Sequence, residues 1–292
     1  MPLGASETIG TIGHVQSQGA LLGYRADSEM LFAVSQTLPE FTALRDAAEA
    51  LGRPIEEILG RIACHDLRNS CSLSFIKERR EHISTVDIGH GPVGMSAFQS
   101  GNSVWVEIEP DEPENPSAIL LKDMARLRDR IVNARDVSEL LGETVGLLRT
   151  LAGFDRIQAI RLAGDEGSVV AEAKRMSLGA TLGSNPGVPQ GLPRLHPNIV
   201  LDIEAAPSAL LSFEDLSPDL TLAALSVPTV DVADALRRHG MTASVTHPLI
   251  VDRKPWGLLW FQHRRPRRMP LRARQAVEAT LPLINATLEN RL

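Results

Sequence analysis

A long helical pattern between two strand-rich regions is the feature that most constrains the fold of this chain. Apolar residues recur at helical spacing over residues 118–151, and Asp136 or Ser138 is suited to cap the second part of the pattern. Residues 110–117, just before the helix, hold three prolines and three acidic residues, which is typical of a linker or an exposed loop. The pattern therefore divides the chain into two domains.

We place these domains at residues 1–117 and 118–292, and predict the α+β class for both. Alternating apolar and polar residues indicate antiparallel sheets, and a turn at Gly101-Asn102 predicts a hairpin. The predicted strands cover residues 21–25, 30–35, 82–89, 94–102, 103–110, 156–163, 168–175, 198–204, 243–251 and 256–264. Shorter helices are predicted from Pro54 and over residues 232–239, and a final helix over residues 270–292.

Composition excludes several classes of protein. The net charge of −6 argues against a general nucleic-acid surface. The basic run at residues 264–268 is either a solvated loop or a contact patch for a partner or another domain. Neither an apolar run of about 18 residues nor a leader with basic and apolar parts is present, so we expect no membrane span and a cytoplasmic location.

Motifs for catalysis and for metal binding are absent from the sequence. There is no phosphate-binding loop, no HExxH, no CxxC and no GxSxG, and the eight histidines are scattered without metal-ligand spacing. We therefore predict neither an enzyme nor a metal site in this chain, and favour a sensor or interaction module.

Cys64 and Cys71 lie seven positions apart and, on an intact helix, would be about 10 Å apart on one face. That separation is too large for a direct disulfide. Three interpretations stay open for them: inert buried thiols, redox-responsive thiols within or between chains, and metal ligation.

Three stretches resemble the PAS–GAF half of a bacterial phytochrome photosensory core. They are IGHVQSQGALL at residues 12–22, AGFDRI at 152–157 followed by VVAEAKR, and RHGMTASVT at 238–246 followed by LIVDRKPWGLL. The resemblance covers nearly the whole chain, and GFDR together with WGLL is its most specific part. It implies a PAS domain followed by a GAF domain, with a linear tetrapyrrole in the GAF pocket and a histidine kinase output.

The chain departs from this family where the bilin is bound. The family attaches biliverdin through a cysteine near the position of Gly4, whereas no cysteine precedes Cys64. The P-A-S-D-I-P motif should fall at residues 184–195, where the chain has no aspartate and carries Gln190. In the family this insert also forms the loop of a knot around the N-terminal segment, and HVQSQ stands in place of the N-terminal I-Q-P-H run.

Further departures fall in the second domain. The histidine of the family's S-P-x-H motif corresponds to Val232, and L-I-A-C-H-H becomes LLWFQH at residues 258–263. Trp260 and Gln262 are then expected on one face, where the indole would occupy the space of the bilin D ring. We assign to the degenerate bilin pocket Gln190, Val232, Ser244, Thr246, Trp260, Gln262 and His263. Ser244 and Thr246 match hydroxyl positions that hold a propionate in the family.

The sequence thus predicts a phytochrome-related sensory module without biliverdin or any other cofactor. The apolar stripes of helices 118–151 and 270–292 predict a homodimer formed through them. The resemblance implies a signal relayed to a response regulator through a histidine kinase to control gene expression. The input is left open between redox state, another ligand and a partner protein. The alternative is a true red/far-red photoreceptor with noncovalent or atypically attached bilin.

Overall fold

The computed structural model of the protein describes residues 9–72, 79–111, 117–164, 166–178, 196–215 and 217–292, with the backbone alone for residues 117–121. The chain forms two compact units. The first comprises Met1–Glu112 and Ala205–Val227, and the second comprises Pro113–Glu204 and Pro228–Leu292. Residues 205–227 thus belong to the first unit, although they lie in the second half of the sequence.

Twelve strands and five α-helices form the regular structure of the described residues. The strands are β1 (Gly10–Val15), β2 (Ala20–Arg25), β3 (Leu31–Ser35), β4 (Glu81–Asp87), β5 (Pro92–Ser100), β6 (Ser103–Pro110), β7 (Arg156–Ala163), β8 (Glu166–Lys174), β9 (Asn198–Val200), β10 (Ser208–Ser212), β11 (Ala243–Val251) and β12 (Lys254–His263). The helices are α1 (Ile55–Ser72), α2 (Ser117–Asn133), α3 (Val137–Ala152), α4 (Val230–Arg238) and α5 (Leu271–Glu289).

The first unit is built on a seven-stranded antiparallel sheet with the strand order β1-β10-β3-β2-β6-β5-β4. Strands β2 and β3 are buried almost throughout, as expected for the centre of a sheet. Helix α1 bends at Gly60, whose φ of 81° lies in the left-handed region that favours glycine. Leu59, Ala63 and Leu67 of α1 belong to one apolar core with buried residues of β2, β3, β5 and β6.

Strand β10 lies between β1 and β3 in this sheet, so residues 205–227 complete a structure begun at the N-terminus. The side chain of Gln16 donates from Nε2 to the carbonyl oxygens of Ala224 and Ser226, at 3.3 and 2.9 Å. The backbone N–H of Leu225 donates to Oε1 of the buried Glu107 at 2.8 Å. These bonds satisfy backbone groups of the 205–227 segment on the first unit.

The second unit is built on a five-stranded antiparallel sheet with the order β8-β7-β12-β11-β9. Helices α2, α3 and α5 pack on one another, and α3 and α5 also pack on the sheet. The side chain of Asp136 accepts a hydrogen bond from the backbone N–H of Glu139 and caps α3. Gly153 ends α3 with a φ of 66°.

The predicted fold class is confirmed, and the predicted strands and helices are present, with differences in their number and bounds. Residues 118–151 form two helices, α2 and α3, instead of one. Asp136, one of the two predicted caps, caps the start of α3. Strands β1 and β10 were not predicted, since residues 10–15 hold few large apolar residues and residues 208–212 carry only a short apolar run. The domain boundary at residue 117 remains a prediction. The contacts of residues 205–227 assign this segment to the first unit.

Candidate functional site

The candidate site lies on the face of the second sheet against which α4 packs, called here the α4 face. Directly paired residues of neighbouring strands point to the same face of a sheet. Their register therefore places four of the predicted site residues together: Ser244 and Thr246 on β11, and Trp260 and Gln262 on β12. Two rows cross the face, Val200–Ser244–Gln262–Arg156–Lys174 and Asn198–Thr246–Trp260–Gln158–Glu172.

Trp260 is wholly buried, with 0% of its surface exposed, and Val232 is 2% exposed. Both belong to one apolar cluster with Leu236 of α4 and Leu258 of β12. The ring of His239 meets the indole edge to face, with the centroids 6.0 Å apart. The indole thus forms part of the packing between the sheet and α4.

Polar atoms are buried on the same face without hydrogen-bond partners among the described residues. They number seven, all on side chains at most 7% exposed. They are Arg156 Nη2, Gln158 Oε1, Asn198 Oδ1, Ser244 Oγ, Thr246 Oγ1, Trp260 Nε1 and Gln262 Nε2. Folded proteins leave few buried polar groups unpaired, so this concentration on one face marks a candidate binding site.

Arg156, Gln158 and Asn198 were not predicted as site residues. Arg156 is buried and donates from Nε to Oε1 of Gln262. Burial lowers the pKa of its guanidinium, against the opposing charge of Glu172. The signal in the sequence was the alternation of Arg156 and Gln158 with apolar residues in the strand RIQAIRLA, where a polar residue at every second position marks one face.

Two predicted residues are not placed with this group. His263 follows Gln262 along β12 and therefore points to the other side of the sheet. Its ring lies edge to face with Phe154, with the centroids 6.0 Å apart, and its Nε2 is 3.6 Å from Asp155 Oδ2. Gln190 lies outside the described residues.

Asp155, which directly precedes β7, forms the centre of a charged cluster at the end of this strand. It forms ion pairs with Arg175 and Arg264, at 3.0 and 3.2 Å. Burial alone would raise the pKa of this carboxyl, but hydrogen bonds from Arg264 and the electrostatic effect of His263 lower it below its usual value. Arg264, the first residue of the basic run, is thus paired within the domain.

The two cysteines lie on α1 in the first unit. Cys64 is buried in the core, and Cys71 is half-buried with its Sγ 3.7 Å from Oη of Tyr24. Burial raises the pKa of Cys64 to about 11 and also raises that of Cys71. Because the thiolate is the reactive form, these shifts weigh against a redox role.

The described residues contain neither a metal-binding cluster nor a membrane-spanning helix. No cluster of three or more histidine, cysteine, aspartate or glutamate side chains suited to a metal ion occurs in those ranges. Among the helices described, none has the length and apolar character needed to cross a bilayer.

Comparison with known proteins identifies the class to which this site belongs. Residues 5–111 match the PAS fold family and residues 136–288 match the GAF domain family. The chain belongs to the GAF domain family, and its PAS–GAF arrangement is that of the bacteriophytochromes. It is a sensory module rather than a catalytic domain.

Relatives and solved structures agree with this class. The bacteriophytochrome of Pseudomonas aeruginosa is 27% identical over 97% of this chain, and cyanobacterial phytochrome B of Nostoc sp. is 26% identical over 74%. The chain spans 40% of the first relative and 30% of the second.

Solved structures of two further relatives share the fold of the chain. The chromophore-binding domain of an unusual bacteriophytochrome from R. palustris has a TM-score of 0.82 at 20% identity, covering 96% of this chain and 97% of that one. The photosensory core module of Stigmatella aurantiaca phytochrome has a TM-score of 0.84 at 23% identity, covering 98% of this chain and 60% of that one.

Proposed function

We propose that this PAS–GAF module is a sensory input unit that has lost biliverdin binding and light sensing. The observation that carries the proposal is the position of Trp260, whose indole is packed between the GAF sheet and α4. The neighbouring Val232 occupies the position at which the resemblance implies a histidine, and a valine side chain cannot donate a hydrogen bond to a bilin. Together the two residues place an apolar contact at the part of the face that the resemblance assigns to the bilin.

The module would pass its state through helices α2, α3 and α5. These helices pack on one another, and α2 carries an exposed apolar residue, Val132, which is 53% exposed. An apolar residue on a helix surface suits burial against a second copy of the same helix. We propose a homodimer formed over residues 118–151 and 270–292, in a cytoplasmic signalling protein with a histidine kinase output and a response regulator as partner.

A kinase output agrees with the description of one relative, a light-sensor protein kinase of Ceratodon purpureus, which is 28% identical over 52% of this chain. The signal that replaces light is a ligand or a partner protein in this proposal. The raised pKa values of Cys64 and Cys71 make redox sensing the least favoured input.

The test is to add biliverdin to the purified chain and record visible spectra before and after red and far-red illumination. We expect no red-absorbing, photoconverting species in the wild type. The double variant Trp260→Ala/Val232→His, which reopens the space and restores a histidine, should bind more pigment than the wild type. The control is Trp256→Ala, on the same strand. Photoconversion in the wild type would overturn the proposal in favour of a noncovalent photoreceptor.

A further inference from the structure

We propose that the α4 face binds a small hydroxycarboxylate, with the carboxylate on Arg156 and Gln262 and the hydroxyl on Gln158. The inference rests on the proposed function, since the face has to be free of bilin. It names the class of ligand that the module would sense in place of light.

The need for an anion comes from Arg156. This side chain is 5% exposed, and its Nη2 has no acceptor among the described residues. Glu172, the acidic residue in the adjacent row, forms an ion pair with Lys174 at 3.3 Å and accepts a hydrogen bond from Gln158. The carboxylate of Glu172 is therefore shared between the charges of Arg156 and Lys174, and it does not accept a hydrogen bond from Arg156 Nη2. A carboxylate is the planar acceptor that a guanidinium binds best.

The orientations of two amides define the rest of the ligand. Gln262 uses its Oε1 to accept from Arg156, which leaves its Nε2 as a donor beside the guanidinium. Gln158 uses its Nε2 to donate to Glu172 at 2.9 Å, which leaves its Oε1 as an acceptor. The face therefore offers donors in one row and an acceptor in the next, about 7 Å along the strands.

A hydroxycarboxylate satisfies both requirements, because its carboxylate accepts hydrogen bonds and its hydroxyl donates one. The indole N–H of Trp260 and the hydroxyl of Ser244 lie between and beside these groups and add further donors. Water would leave Glu172 as the one carboxylate shared by Arg156 and Lys174 among the residues of these two rows. The arrangement thus favours an organic anion over solvent.

The experiment is a calorimetric and thermal-unfolding titration of the whole chain with L-malate, and with succinate as the analogue that lacks the hydroxyl. We expect saturable binding of malate, a rise in the unfolding midpoint with malate concentration, and weaker binding of succinate. Arg156→Gln should weaken malate binding at least about tenfold, the loss of one charge-assisted hydrogen bond. Arg161→Gln, at an exposed position of the same strand, should bind as the wild type does.

A second variant keeps the test decisive if Arg156→Gln fails to fold. Gln262→Glu places a carboxylate beside the guanidinium, so it should abolish malate binding while circular dichroism stays that of the wild type. Binding that survives in Gln262→Glu, or no binding of malate up to about 10 mM in the wild type, would overturn the inference.

A biliverdin titration of the same preparations separates this inference from the proposed function. Biliverdin photoconversion overturns the proposed function and, with it, this inference. The absence of both malate binding and biliverdin binding overturns the hydroxycarboxylate site alone. Binding of malate without biliverdin supports both.

Discussion

Replacing Trp260 by alanine tests whether the indole is part of the GAF core. The side chain is wholly buried and packs with Val232 and Leu236. Truncation of a buried tryptophan typically costs about 3–5 kcal/mol of unfolding free energy. Its Nε1 has no partner among the described residues, so removing it relieves about 1–2 kcal/mol. We therefore expect a net loss of about 1–4 kcal/mol in the free energy of unfolding.

The assay is urea-induced unfolding followed by circular dichroism, with two matched variants. Trp260→Phe keeps an aromatic ring but removes the unpaired N–H, so its stability should lie within about 1 kcal/mol of the wild type. Trp256→Ala changes a half-buried tryptophan on the same strand, whose ring lies 5.9 Å from the guanidinium of Arg161. If Trp260→Ala costs no more than Trp256→Ala, the indole does not hold the sheet and α4 together, and the reasoning is refuted.

Three further predictions concern other parts of the chain. Gln16→Ala should lower the unfolding free energy of the first unit by about 1–2 kcal/mol through two lost hydrogen bonds; an unchanged urea midpoint would contradict this. Asp155→Asn should cost about 1–2 kcal/mol near pH 7. The folded pKa of Asp155 is lowered, so the stabilisation from its carboxylate is fully present above the unfolded pKa and is lost as pH falls through the folded pKa. The urea midpoints of the wild type and Asp155→Asn should therefore converge as pH falls below about 4. At neutral pH, Cys64 should react with a thiol reagent about 100-fold more slowly than a free cysteine, since burial raises its pKa from 9.0 to about 11. Fast labelling that Cys64→Ser removes, but Cys71→Ser does not, would contradict burial.

Alternation of residue types was enough to predict most strands, because a side chain's face in a strand follows from its position. This reasoning placed Trp260 and Gln262 on one face, and the register of β11 and β12 confirms it. The same rule separates His263 from them, although the resemblance had grouped the three. Consecutive residues of a family motif in a strand point alternately to its two faces, whereas a binding site is formed by residues of one face.

The partners of Gln262 could not be predicted from sequence alone. Its contact with Arg156 joins residues 106 positions apart, and it depends on the pairing of β12 with β7. Strand pairing is set by packing and turn geometry over the whole sheet, and local patterns do not encode which strands become neighbours. For the same reason β10 was missed, since its partners β1 and β3 lie almost 200 residues before it in the sequence.

The position of β10 has a consequence for how the chain acquires its structure during synthesis. Strands β1 and β3 are translated early, but the strand that joins them is synthesised only after about half of the second domain, through β9. Until then the edges of both strands are open to pairing with other chains, which is the usual route to aggregation of unpaired strands. The sheet of the first unit can therefore be completed only after part of the second unit has been synthesised, so the folding of the two units is linked.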